Sequence, residues 1–338
     1  MSPSSGTELR FGARRFDLPH PDRMLFPDVG IRRRDLLRYY LDVAPAFLRA
    51  VRDRPLTLRC FPDGIDGEDH YRQRVTDAFP DWMPDASRAL ASGEGSIDRI
   101  LCDSPSALAW LLRLGTISFH AGLARAPRLD LCDRMIFDLD PPGDDFEPVR
   151  DGALRLGELL RELGAHPFAM TTGSRGLHVV VPVRPRQDHD AVRDVARRIA
   201  ERLVDSDPAA FTLAQRKADR GSALYLDIMR IVLGQTGVAP WSVRARPGAP
   251  VATPLRWEEL ADHSVHARSW TLADIPRRLE RSGDPWLGIG RHAVKLDSLR
   301  KSTLSAGRLR GDAQGNIAGW PRPGRQGQCD LRRGSDGR

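Results

Sequence analysis

In the stretch Met135-Ile136-Phe137-Asp138-Leu139-Asp140, apolar Met135, Phe137 and Leu139 alternate with Ile136, Asp138 and Asp140. A period of two is that of a strand, so one face packs while the other carries two carboxylates side by side. Like charges on neighbouring same-face positions repel and are costly to bury unpaired. A hard divalent cation held by oxygens relieves both problems. A solvated strand end is the alternative reading.

Working outward, 141–145 is turn-rich, and Val149, Ala153, Leu156, Leu160 and Leu163 then predict a helix stopped by Gly164. Residues 167–172 and 177–183 predict two strands joined by the tight turn 173–176. Asp188 is placed to cap a second helix carrying Val192, Val195, Ile199 and Leu203, and 223–228 reads as another strand. The order βαββαβ is the split-βαβ plan of RRM-like sheets.

In that plan same-face residues of different strands converge: Asp138 and Asp140 from the first, His178 from the third, Asp227 from the last. Three carboxylates at one spot would hold one or two Mg²⁺ or Mn²⁺ ions. Two such ions, about 3.5–4 Å apart, could clamp the attacking and leaving oxygens of an in-line phosphoryl displacement. Thr172, Ser174 and the backbone amides of 173–176 offer unobstructed donors of the kind a phosphate cradle needs, and Arg175 adds a charge. A glycine-rich hairpin turn also has purely conformational reasons to exist. His178 would face the carboxylate side, as a structural histidine or as a donor to a phosphate oxygen. Arg230 follows Asp227 by three residues, and Arg244 and Arg246 share one side of a short extended run. Guanidinium forks suit phosphate oxygens, and surface charge is the alternative reading.

The flanks carry less. Residues 1–20 are polar and turn-rich and predict a flexible arm. Leu36, Leu37, Tyr40, Val43 and Phe47 predict an amphipathic helix with Arg32, Arg33, Arg34 and Arg38 on or near its outer face. Residues 54–61 read as a strand, 62–67 as a turn, 106–114 as a helix, and a further helix is predicted from Trp257. Beyond about 300 the chain is rich in Gly, Arg and Ser, and a disordered basic tail is expected over 299–338. Net charge is +7, but eight Lys/Arg against three Asp in 301–338 leave only +2 for residues 1–300. Bulk charge therefore does not establish nucleic-acid binding by the folded part. Four well-separated cysteines without a Cys-x-x-Cys pair suggest reduced thiols, and neither a zinc site nor a disulfide frame. With no leader and no long apolar run, a soluble, cytoplasmic, monomeric protein is expected.

Phe-Asp-Leu-Asp-Pro at 137–141, Thr-Gly-Ser-Arg-Gly-Leu-His-Val at 172–179 and Tyr-Leu-Asp at 225–227 resemble the three motifs of archaeo-eukaryotic primase-superfamily polymerases. More closely, the chain resembles the polymerase domain of bacterial DNA ligase D (LigD), a non-homologous end-joining enzyme. Asp-Arg-Met-Leu-Phe-Pro at 22–27, Phe-Pro-Asp-Gly-Ile-Asp-Gly at 61–67 and Ala-Pro-Trp-Ser-Val-Arg-Ala-Arg-Pro at 239–247 are similar to its other signatures.

The resemblance implies an α/β (α+β) primase-like core: an N-terminal αβ module over 21–134 flanking an RRM-like catalytic module over 135–298. It implies addition of NTPs or dNTPs to 3′ ends at gaps or double-strand breaks, with Mn²⁺ or Mg²⁺ in a two-metal site. Asp138, Asp140 and Asp227 would be the metal ligands. Thr172, Ser174, Arg175, Gly176 and His178 would hold the triphosphate, with Arg230, Arg244 and Arg246 on phosphates and His120 beside the incoming nucleotide. Arg23 stands where the family often has a lysine of its 5′-phosphate pocket and, with Arg32, Arg33 and Arg59, would contact DNA. Gapped DNA with a 5′-phosphate, Ku and a ligase are the implied partners, with a nucleoid-associated location. Thr172 and Arg175 replace the family's usual serine and lysine, and Ile231 and Leu233 replace a common asparagine and a basic residue. No ligase or nuclease motif accompanies these, so a stand-alone polymerase module is expected.

Two other classes share part of this pattern. An Asp-x-Asp phosphatase would use the first aspartate as nucleophile, but Pro141-Pro142 follows where Gly-Thr is usual, and 173–178 would be left unexplained. A catalytically inactive RRM-like module could bind nucleic acid without the carboxylates.

Overall fold

The computed structural model describes residues 6–86 and 99–308. Two sheets, each with its own apolar core, face one another, and the site lies between them.

The chain opens with a hairpin of β1 (Thr7–Phe11) and β2 (Arg14–Leu18). From residue 7 onward this corrects the flexible arm expected over 1–20; residues 1–5 of that arm lie outside the described residues. Alternate residues Leu9, Phe11, Phe16 and Leu18 pack on the first core, and Arg14 donates to Ser106 at 2.6 Å. A short pair, β3 (Met24–Phe26) and β4 (Ile31–Arg32), leads into α1 (Arg33–Asp42) and α2 (Ala44–Val51). Tyr40 and Phe47 of these helices stack edge-on against Phe119 and each other at 5.1–5.4 Å, which fixes them on the first sheet.

That sheet begins with β5 (Leu56–Cys60) and β6 (His70–Arg72). After α3 (Pro105–Arg113), capped by Ser104, comes β7 (Thr116–Gly122). The small ladder of β8 (Ala124–Arg125) and β9 (Arg128–Cys132) then hands the chain to the second sheet.

There the βαββαβ order appears as expected: β10 (Arg134–Asp140), α4 (Glu147–Glu162), β11 (Phe168–Thr171), β12 (Leu177–Pro182), α5 (His189–Ser206), a short β13 (Phe211–Thr212), then β14 (Leu224–Asp227). The strand order β14-β10-β12-β11 places the first strand between the last and the third, as the split-βαβ plan requires. Asp188 caps α5, accepting from the Ala191 amide at 2.8 Å.

The chain then returns to the first module. β15 (Thr236–Val238) pairs antiparallel with β7, and Ala239, Trp241, Val243 and Val251 enter the first core. A division at 134/135 is therefore not clean, because residues after the third motif complete the first sheet. β16 (Pro254–Leu255) goes back to the edge of the second. The helix expected from Trp257 is only a 3-10 turn, Trp257–Ala261, followed by α6 (Ile275–Ser282). The expected tail boundary at 299 falls inside α7 (Leu296–Arg308), where Leu299 and Thr303 are buried; the remainder of that tail lies outside the described residues. No helix among the described residues is long and apolar enough to cross a membrane.

Candidate active site

The register of the second sheet brings the predicted residues together. Asp138 lies directly opposite Asp227 on one side and opposite His178 on the other. Arg134, Ile136, Asp138 and Asp140 alternate onto the face of β10 that looks toward the first sheet, where a Cβ on Gly237 of β15 would stand 3.5 Å from Ile136 and 3.6 Å from His178. A cleft of about 430 Å³ opens there. Its lining includes all three aspartates, His120, Thr172, Ser174, Arg175, Gly176, His178, Arg230, Arg244 and Arg246. Lys217 joins them, so five cations face three carboxylates.

Each aspartate is turned toward a donor. Asp138 has His178 Nε2 at 3.4 Å and Arg230 at 3.8 Å. Burial would raise its pKa, but the charges of His178, Arg230 and Arg244 outweigh that and hold it below the ordinary carboxylate value. Asp227 accepts from the Met229 amide at 2.7 Å and from the Tyr225 hydroxyl at 3.4 Å. Its pKa goes the other way, raised by burial and by the Asp138 charge beside it. Asp140 is held by Arg175 and Arg220, each at 3.4 Å. Among the described residues no three acidic, His or Cys side chains are drawn together as a ready-made metal cage. The donor set nevertheless suits a hard divalent ion: three oxygen donors on two adjacent strands, two of them raising each other's cost of ionisation.

The hairpin between β11 and β12 is tied down by its own polar groups. The Thr172 hydroxyl donates to the Gly176 carbonyl at 3.0 Å and accepts from the Ser174 amide at 3.3 Å. Thr172 thus ties the turn together while it also lines the cleft. Gly173 adopts φ +63, and a Cβ there would meet Arg244 Cγ at 2.8 Å. Arg244 crosses beneath the turn and donates to the Thr172 carbonyl at 2.9 Å. Arg244 and Arg246 lie in a looped segment bridged at Val243 and Val251, where an extended run was expected, and both still reach the cleft.

His120, on β7, is pushed down to about 3 by burial and then by the Arg244, Arg230, His178 and Arg59 charges, so it is a neutral imidazole. Its Nε2 and the Nδ1 of His178 are buried with no hydrogen-bond partner among the described residues. Both ring nitrogens line the polar cleft and can each take a hydrogen bond from a molecule bound in it.

Of the residues assigned to DNA, Arg23 pairs with Asp63, and Arg32 has Asp22 at 3.2 Å. Arg59 pairs with Asp69, lies over the Phe61 and Tyr71 rings, and is close enough to raise the positive potential at Arg244 and Arg246. Arg33 is a correction. Placed on the outer face by sequence, it is 5% exposed and donates to the Pro19 and Pro62 carbonyls, both at 2.8 Å. Its guanidinium ties the turn at 62–67 to the start of α1.

Arg220 and Lys217 escaped the sequence reading. Arg220 stacks on Tyr225 at 3.8 Å while it holds Asp140, and a basic residue a few positions before the third motif was the available signal.

The geometry has counterparts in known proteins. Residues 32–286 match the sequence profile of the family described as LigD, primase-polymerase domain. The multifunctional non-homologous end joining protein LigD of Pseudomonas aeruginosa is 30% identical over 293 residues, covering 86% of this chain and 34% of that one. The non-homologous end joining DNA repair protein LigD of Mycobacterium tuberculosis is 29% identical over 279 residues, 80% of this chain and 36% of that one. The chain thus spans about a third of the length of these relatives. A solved structure of the polymerase domain of Mycobacterium tuberculosis ligase D in complex with DNA superposes with a TM-score of 0.76 at 28% identity, covering 82% of this chain and 99% of that domain. With more than half its length matched by that profile, this chain belongs to the LigD primase-polymerase domain family.

Proposed function

We propose that the chain is a metal-dependent nucleotidyltransferase that extends the 3′ ends of broken or gapped DNA with NTPs or dNTPs during end joining. The observation that carries this reading is the rung Asp138–Asp227, two carboxylates opposite one another in a cleft that also presents five cations and two unpartnered imidazole nitrogens. A carboxylate pair beside a polycationic wall suits a divalent ion and the triphosphate it accompanies.

Asp138, Asp140 and Asp227 would hold the ions, Mn²⁺ or Mg²⁺, whose chemistry is to lower the pKa of the 3′-hydroxyl and stabilise charge on the leaving phosphates. Arg175, Arg244 and Arg246 would orient the β- and γ-phosphates, with the turn amides of 173–176 below them. His178 would donate to a phosphate oxygen through Nδ1, its ring aligned by the Asp138 contact at Nε2. Neutral His120 would hydrogen-bond the incoming nucleotide without adding charge. In the reaction the 3′-oxygen forms a bond to the α-phosphorus, the bond to the β-phosphate oxygen breaks, and pyrophosphate leaves. Arg23, Arg32 and Arg59 would contact DNA, and Ku and a ligase remain proposed partners.

The test is primer extension on a short-gapped duplex bearing a 5′-phosphate, with Mn²⁺ and either rNTPs or dNTPs. Wild type should extend, and Asp138→Ala/Asp140→Ala should lose at least a thousandfold, about 4 kcal/mol of transition-state stabilisation. A folded wild type that binds the gap but does not extend it would overturn the assignment in favour of a binding module.

A further inference from the structure

The β10 face that carries Asp138 and Asp140 at one end carries Arg134 at the other, and a second cleft opens there. It measures about 420 Å³ and is lined in part by Arg49, Arg52, Arg125, Arg134, Trp241 and Trp286. It shares no lining residue with the active cleft. Between the two lies a narrow apolar cavity bounded by Ile136, Met170, Val180 and Val238.

Four guanidinium groups line this second cleft against two carboxylates, Asp53 and Asp284. Arg134 is 6% exposed, and its hydrogen bond among the described residues is a long one to the Ala50 carbonyl, 3.4 Å. Its near neighbour Asp133 is already spent. Both oxygens of Asp133 accept from Arg54, at 2.7 and 2.6 Å, and one also accepts from Arg125 at 3.0 Å. Arg54 and Arg125 therefore share one carboxylate, and Arg134 stands beside them with no ion pair of its own among the described residues, an excess of positive charge that a further anion would relieve. Burial and the Arg54 charge accordingly depress Arg134 well below its ordinary value. The indole N–H of Trp241, a residue lining the same cleft, is buried without a partner.

We propose that this cleft is a second anion site, taking a phosphate-type oxyanion on Arg134, Arg125, Arg49 and Arg52. The surplus of two positive charges matches the near-dianionic charge of a phosphate group at neutral pH. Planar guanidinium forks supplied by three chain segments, the end of α2, β8 and β10, suit its oxygens better than point charges would. The site stands on its own residues and does not depend on the function assigned to the carboxylate cleft.

The experiment is calorimetric titration of the full chain with pyrophosphate in the absence of divalent metal. Wild type should bind two equivalents. Arg244→Gln/Arg246→Gln, which removes cations of the active cleft, should retain one. In that background Arg49→Gln/Arg52→Gln and, separately, Arg134→Gln should each weaken the retained site tenfold or more. The paired substitution is at exposed positions, so it keeps the test valid if Arg134→Gln fails to fold. Loss of all binding in Arg244→Gln/Arg246→Gln, or a retained site indifferent to Arg49→Gln/Arg52→Gln, overturns the proposal. Displacement of pyrophosphate from the retained site by a 5′-phosphorylated oligonucleotide, but not by its unphosphorylated counterpart, supports the site with a strand end as its source. Displacement by inorganic phosphate alone supports it with the free anion as its source.

Discussion

Gly176 sits so close to β10 that a Cβ on it would lie 2.1 Å from the carbonyl oxygen of Leu139, the residue between Asp138 and Asp140. The hairpin turn and the carboxylate strand are thus in backbone contact. Their spacing sets the distance between the glycine-rich turn and the aspartates. Gly176→Ala must push one from the other. The expected cost is about 3 kcal/mol, the upper end of ordinary overpacking, because the obstacle is backbone. Urea unfolding measures it, and nucleotide affinity should fall together with stability. An alanine variant of wild-type stability would show that the contact is looser than described.

Arg220 and Arg175 each occupy one oxygen of Asp140, so a metal ion bound there would have to displace them. Arg220→Gln should free one oxygen and remove a nearby positive charge. Mn²⁺ affinity without nucleotide is expected to rise about tenfold, or about 1.4 kcal/mol. Calorimetry with Mn²⁺ reads this directly, and unchanged or weaker binding counts against Asp140 as a ligand.

His120 gives stability a pH dependence whose sign follows from its depressed pKa of about 3. Unfolded, the imidazole takes a proton near pH 6.5, whereas in the folded protein it does not. The unfolded state therefore binds more protons at acidic pH, and stability falls as pH drops below the unfolded value. Between pH 7 and pH 5 this one group should cost about 2 kcal/mol. Unfolding curves of wild type and His120→Gln at the two pH values should differ by that amount, with the variant the less acid-sensitive.

Arg33 and Arg32 are neighbours in sequence with opposite expected phenotypes. Arg33→Ala leaves two carbonyls unpaired at a buried position and should destabilise by about 3 kcal/mol. Arg32→Ala should leave stability within about 0.5 kcal/mol while reducing the salt dependence of binding to gapped DNA. Equal effects of the two on folding would contradict the burial difference between them.

The second sheet was legible in the sequence because each element there satisfies a short-range rule. β10 shows strict alternation, α4 and α5 carry apolar stripes at helical spacing, and Asp188 and Gly164 stand at helix ends. The three aspartates and His178 could be assigned from the same rules, since same-face periodicity on known strands implies convergence. Arg33 could not be. The pattern places an arginine at the start of α1 on the solvent side, and only the packing of the 62–67 turn over it makes it a buried donor.

Local pattern by itself determined the βαββαβ order, the strand carrying the carboxylates and the glycine turn facing it, because each depends on residues within a few positions of one another. Tertiary structure alone decided that 236–251 crosses back to complete the first sheet, that β1 and β2 pack as a hairpin and that Arg220 holds Asp140. It also gathered Arg49, Arg125 and Arg134 around a second cleft. The physical reason is the same in each case. These arrangements are set by burial and charge balance between segments far apart in the chain, where no periodicity within one segment records the partner.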